Sequence, residues 1–326
     1  MNAHRRCVLI LSVLVAVSAP AVESVAQQRL TENVVSDPSA ARFVYEDVEN
    51  FVRAMEQVAS GADTAAVLQA EYFDKATPGL RMFIQKYDLT LERLLEAIQE
   101  HPQKYSSLDQ SLAALRSQES SFRKIYADLQ AEIRDAVFPP TYFLVGAHRG
   151  IGSGSVEGPL ITIEKKTIES ISTDLPATLV HEMVHMEQLA ALGEAYFAIF
   201  NGEEKTLLAL SVREGVATYF AERVTGGSVH KNLARKFLLE HEEDLWRRFR
   251  PEMLGHETGE WLWSTPSDPE QPRDLGYAIG ARIVESFYER AEDKDQAVSE
   301  ILAITDYEAF LARSGYGEGD HVQPEK

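Results

Sequence analysis

Cysteine is almost missing from this chain. One residue, Cys7, stands among 326. An intramolecular disulfide and a cysteine-based zinc cluster are therefore excluded. Positive charge is also scarce. Lys and Arg number 32 against 51 Asp and Glu, a net charge of -19. Such a surface carries no electrostatic footprint for nucleic acid and is repelled by anionic lipid. Long apolar runs are lacking too: none reaches the roughly 20 residues that a membrane-spanning helix needs. No internal repeat of about 20 to 50 residues is visible, which excludes solenoids and propellers. Hydrophobic residues at 44% and charged residues at 25% exclude a disordered or fibrous chain and supply enough apolar surface for a core.

The first residues read as a signal rather than as fold. Arg5 and Arg6 precede a short apolar run, Cys7–Val17, and small residues come next at Ala19-Pro20-Ala21 and Ser24-Val25-Ala26. A charged start, a short apolar stretch and a small-residue cleavage site predict a signal peptide over residues 1–26. The expected location is the bacterial periplasm or the exterior, with no membrane span after removal. Cys7 lies too early in the run to be a lipid-attachment residue.

Helical periodicity dominates the chain from residue 41 to residue 137. Phe43, Val44, Val48, Phe51, Val52, Met55 and Val58 recur at spacings of three and four, one apolar stripe over 41–59. Similar stripes occupy 63–75, 78–87, 90–100, 105–117 and 119–137. They define a helical N-terminal region, residues 27–138, ended by Pro139-Pro140. Then the period changes. Residues 141–145 and 159–164 are short β-branched or aromatic runs and predict strands of a small sheet. The glycines at 150, 152 and 154 between them lack the strand-to-helix context of a phosphate loop and read as a hairpin connection. The expected class is α+β, predominantly helical, with a second domain over 139–314 and a flexible tail over 315–326.

The chemistry concentrates at His181-Glu182-Met183-Val184-His185. Asp174 predicts a helix start as N-cap acceptor, with Pro176 in the first turn. Residues four apart share a helix face, so His181 and His185 present two imidazoles to one point, as zinc requires. Glu182 points elsewhere and suits a general base acting on a water at the metal. Leu179, Val180, Met183, Val184, Met186 and Leu189 surround these polar groups. A helix apolar all round is buried, and burying two imidazoles and a carboxylate is costly unless a metal turns them into ligands.

Two histidines need a third protein ligand. Gln188 and Ala191 stand where a longer motif would carry glycine and histidine, so a downstream glutamate is the remaining source. Glu203 and Glu204 come after Asn201-Gly202, where carboxylates simply complement a helix dipole. Glu214 lies mid-helix among core residues and is the preferred third ligand. Gly215, costly inside a helix, implies that another backbone approaches closely there. The acidic run Glu240–Asp244 points in several directions and reads as a solvated face.

His181-Glu182-Met183-Val184-His185 together with Glu214-Gly215-Val216-Ala217 resembles the gluzincin branch of zinc metallopeptidases. More narrowly, residues 139–290 are similar to a bacterial family of predicted zinc-dependent proteases, in which a later Trp and a Gly-Tyr-x-x-Gly helix recur. Trp263 and Gly276-Tyr277-Ala278-Ile279-Gly280 match these. The resemblance implies a zincin-like catalytic domain, Zn2+ as cofactor, a peptide or protein substrate, and Tyr277 as the donor to the developing oxyanion. His230 and His256 are alternatives for that role. One position departs: Thr218 stands where many gluzincins place an Asp or Asn that orients a ligand histidine. The reading is a zinc peptidase with His181, His185 and Glu214 on the metal and Glu182 as base. Its rival is a non-catalytic cell-envelope binding or assembly protein on the same scaffold.

Overall fold

A computed structural model describes residues 34–149, 152–200 and 202–318. The signal segment expected at 1–26 lies outside the described residues, as do most of the tail and the His230 side chain.

The N-terminal stripes become short helices stapled by their caps. They are α1 (Glu46–Ala59), α2 (Thr64–Leu68, continued by a π turn Gln69–Phe73), α3 (Pro78–Tyr87), α4 (Leu91–Glu100), α5 (Pro102–Ser106), α6 (Leu108–Ser117) and α7 (Glu119–Glu132). Asp63, Thr77 and Thr90 each accept a hydrogen bond from the backbone N–H three residues on, which fixes the starts of α2, α3 and α4. The stripe expected as helix from residue 41 begins instead with a strand, β1 (Phe43–Val44). Its two residues pair with a neighbouring strand, and the Phe43 ring stacks on Tyr126 at 5.5 Å. Two residues at the edge of a stripe are too few for period to separate helix from strand.

The sheet is completed by β2 (Thr141–Leu144), β3 (Gly152–Ser153) and β4 (Leu160–Thr162), in the order β1-β2-β4-β3. The expected hairpin between residues 141–145 and 159–164 is not formed. β2 and β4 run parallel, and the glycine-rich connection supplies β3, antiparallel to β4 at the sheet edge. Parallel neighbours require a crossover, so the connecting segment must leave the sheet and return.

Helices then dominate: α8 (Ile168–Thr173), α9 (Leu175–Leu192), α10 (Leu207–Thr225), α11 (Val229–Glu240), α12 (Glu242–Phe249), α13 (Leu275–Arg290), α14 (Lys294–Leu302) and α15 (Tyr307–Ser314). Helix α9 starts where expected, but Asp174 makes no side-chain capping bond there. α8 runs almost directly into α9, and Asp174 already has helical backbone angles, unlike the extended Ncap that aims its side chain at the first turn.

Gly215 fulfils its sequence expectation. A methyl group placed there would lie 2.1 Å from the carbonyl carbon of Gly280, and one on Gly280 would lie 1.8 Å from the Ser211 carbonyl oxygen. Helices α10 and α13 thus cross backbone to backbone, which only glycine permits. One continuous apolar core runs from Ala41 to Tyr316. Tyr316, assigned to the tail by sequence, is buried with its ring 5.0 Å from Trp246. The N-terminal region joins this core through β1 and through Val137, whose N–H donates to Glu187 on α9 at 2.8 Å. Among the described residues, no helix is long and apolar enough to cross a membrane.

Candidate metal centre

Helix α9 is buried on nearly all sides, so its polar residues cannot be incidental. His181 and His185, one turn apart, stand with rings perpendicular and 4.8 Å between centroids. Helix α10 brings Glu214 opposite them. One carboxylate oxygen, Oε2, lies 3.1 Å from Nε2 of His181 and 3.3 Å from Nε2 of His185. Tetrahedral zinc with bonds of about 2.0–2.1 Å holds its ligand atoms about 3.3 Å apart, which the two Glu214 distances match, and all three donor atoms lie within 4.8 Å of one another. Among the described residues, this is the one group of three or more His, Cys, Asp and Glu side chains close enough to share a metal.

The charges of this trio are interdependent. Burial alone pushes the Glu214 carboxyl up, but the two imidazoles beside it hold it well below the usual carboxylate range. Burial pushes His185 down, and Glu214 reverses this and raises it. Glu214 and His185 thus support each other's charge, and a divalent ion held there would supply the positive charge that the carboxylate needs.

The ring orientation of His185 has its own support. Nδ1 hydrogen-bonds the side-chain oxygen of Gln188 at 2.7 Å, and the Gln188 amide donates to the Arg213 carbonyl at 3.3 Å. This leaves Nε2 facing Glu214, where it could bind a metal. Thr218 does not take the missing Asp or Asn role, since its buried hydroxyl has no hydrogen-bond partner. Gln188, seen in the sequence only as a non-ligand, is the orienting residue. Its spacing of three from His185 was the available signal.

Glu182 is offset around the same helix turn from the two histidines and lines the same cleft. A methyl group on Gly152 would come within 2.8 Å of its carboxylate, so the β3 backbone presses close against it. Gly154 makes the same approach to Met186 and His185. These glycines therefore form a wall of the site, a purpose hidden in the sequence because their neighbours are far along the chain.

Tyr277 opens α13 and lies over the pair. Its ring stacks on His181 at 5.9 Å and 26°. Its hydroxyl accepts a hydrogen bond from Nε1 of Trp263 at 2.8 Å, so its own proton is available to a ligand. Burial, aided by the Glu214 charge, keeps the phenol well above its ordinary pKa and therefore neutral. The Lys231 ammonium sits 3.1 Å from the ring centroid, on its face. Trp263 and Asp274 both have left-handed backbone angles, with φ of 59° and 61°. For Trp this is uncommon, and it is held by the Trp263 N–H donating to the Asp274 carboxylate at 2.9 Å.

Other sequence candidates lie elsewhere. Glu203 and Glu204 are exposed in a single short turn. His256 is exposed and hydrogen-bonds the Lys205 carbonyl at 2.7 Å. Glu187 is buried, but it turns toward Val137 rather than the trio, and burial pushes it up to about 8. Within the acidic run, Glu242 pairs with Arg282 at 3.1 Å.

A cleft opens on both sides of the trio. One arm, about 1000 Å³, holds His181, His185, Glu182, Glu214 and Tyr277 on its walls. The other, about 760 Å³, shares His181, Glu182 and Tyr277 and continues past Lys231.

A predominantly helical α+β fold carrying His-Glu-x-x-His on one buried helix and a glutamate on the next defines a gluzincin-type metalloprotein, with zinc as its cofactor. Residues 143–311, about half of the chain, match the family model described as predicted Zn-dependent protease (DUF2268), and the protein belongs to that family. Neither the curated proteins nor the solved structures gave a match.

Proposed function

We propose that the protein is a zinc-dependent peptidase that hydrolyses peptide bonds with Glu182 as general base. The observation that carries this reading is the joint position of the trio, Glu182 and Tyr277 on the walls of one cleft. Bound zinc would acidify a water and polarise the scissile carbonyl. His181, His185 and Glu214 hold the ion. Glu182 takes the proton of the attacking water and returns it to the leaving amine. Tyr277, a neutral donor fixed by Trp263, hydrogen-bonds the oxygen on which negative charge develops. The outer strand β3 lies alongside and offers an edge to which an extended peptide can add. In this reading the enzyme acts in the periplasm or outside the cell, after loss of residues 1–26.

The test is Glu182→Gln. The variant is expected to bind zinc as the wild type does and to lose peptide hydrolysis by at least about a hundredfold, the lower bound of a general base's contribution. Hydrolysis at the wild-type rate in this variant sinks the mechanism. A wild-type protein that binds zinc and cleaves no peptide in a broad library favours the non-catalytic reading instead.

A further inference from the structure

Arg213, adjacent in sequence to Glu214, is only 2% exposed and lines the larger arm of the cleft. Its guanidinium lies against the Tyr196 ring, 3.2 Å from the centroid, with Phe200 on it at 4.7 Å. Nη1 donates to the Tyr196 carbonyl, while Nη2 is buried with no hydrogen-bond partner. No carboxylate among the described residues forms a salt bridge with it. The two rings and one hydrogen bond offset the desolvation cost of this buried cation only in part. Elsewhere in the same cleft, Lys86 donates to the Ser153 hydroxyl at 2.7 Å and the Gly154 carbonyl at 3.0 Å, again without an acid. In a chain of net charge -19 the larger arm is thus lined by two cations, Lys86 and Arg213, beside the two carboxylates Glu182 and Glu214. A divalent ion on the trio would offset the charges of Glu182 and Glu214, so the larger arm, once loaded, would be positive and attract anions.

We propose that Arg213 is a substrate-binding residue that anchors a carboxylate of the peptide, through Nη2, on the larger arm of the cleft. The ligand reaches it by displacing Phe200, which is 42% exposed. A carboxylate suits the planar guanidinium, which can grip both oxygens. The group is either the C-terminal carboxylate, which implies trimming from that end, or an Asp or Glu side chain near the scissile bond.

This inference rests on the peptidase reading, but its test measures binding rather than turnover. Zinc-loaded Glu182→Gln protein is immobilised and offered four pools of N-acetylated hexapeptides. The first has free C-termini and the second is the same pool as C-terminal amides. The third and fourth are amides carrying one internal Asp or one internal Asn. Retention is read by mass spectrometry. Either the free acids are retained at least about tenfold better than their amides, or the Asp pool at least about tenfold better than the Asn pool, the gain expected from a charge-assisted hydrogen bond. The pair that responds identifies the carboxylate's source. Adding Arg213→Gln removes the preference at unchanged zinc content, whereas Lys86→Gln keeps it. Equal retention across both pairs overturns the anchor, and so does a preference that survives Arg213→Gln or vanishes with Lys86→Gln. If Arg213→Gln does not fold, the pool comparison and Lys86→Gln decide. Carboxylate-dependent binding without hydrolysis by the wild type would leave the anchor standing and remove the peptidase reading alone.

Discussion

The N-terminal helices and the α9–α10–α13 trio both bury carboxylates, and they treat them in opposite ways. Asp47 on α1 is fully buried and accepts from the N–H of Thr77 at 3.0 Å and from the Thr77 hydroxyl. Burial dominates there, and its carboxyl is pushed up to about 6. Glu214 is half-buried, its side chain 14% exposed, and the imidazoles hold it far down. The first carboxyl ties α1 to the start of α3, and there burial outweighs what the two Thr77 donors gain from its charge. The second is kept charged by its surroundings, as a metal ligand must be. The same contrast holds for the helices. In α4 a single face is buried, whereas α9 and α10 are enclosed on nearly every side. Burial alone says little about function; the charges arranged around a buried group say much more.

The contrast can be broken most strongly at a glycine. Gly215→Ala is expected to cost about 3 kcal/mol or more and to reduce zinc binding, because its methyl group drives α13 off α10 and moves Tyr277 away from Glu214. Gly61→Ala in the N-terminal region meets no atom within 4 Å and should cost only about 1 kcal/mol of backbone strain at φ 98°. Urea unfolding of both variants measures the difference, and equal costs would remove the claim that the helix crossing is the tight point.

A smaller effect is expected beside the metal. Gln188→Leu leaves the ligands in place but frees the His185 ring, so zinc affinity should fall about ten- to hundredfold in a chelator competition. Unchanged affinity would show that packing alone orients the ring. A further effect, read through pH, belongs to Asp47. Its folded pKa is raised from 3.8 to about 6. Below 3.8 both states are protonated and no cost arises. Between these values the unfolded chain releases the proton while the folded chain keeps it, so stability falls as pH rises and levels off above about 6. Asp47→Asn should flatten that segment, a change of about 1–3 kcal/mol across the window. A stability profile unaltered by the substitution would contradict the assignment.

Much of this architecture was legible in the residues. Spacing of four put His181 and His185 on one face, and a glutamate lodged among core residues beside Gly215 pointed to a close helix neighbour. Apolar stripes found the N-terminal helices because each buries a single face. What escaped depends on partners distant in the chain. β1 is two residues long, and only its pairing with β2 makes it a strand. The parallel register of β2 and β4 comes from a crossover that local pattern cannot encode. The hydrogen bond from Trp263 to Tyr277 and the solitary guanidinium of Arg213 exist only once α10, α13 and the 193–200 segment are packed together.

The most direct measurement is zinc content of the purified protein beside that of Glu214→Ala, with folding of both verified by circular dichroism. Three ligands drawn from α9 and α10 predict about one zinc per chain in the wild type and little or none in the variant. Equal zinc in the two proteins, or none in a folded wild type given excess zinc, would contradict the account.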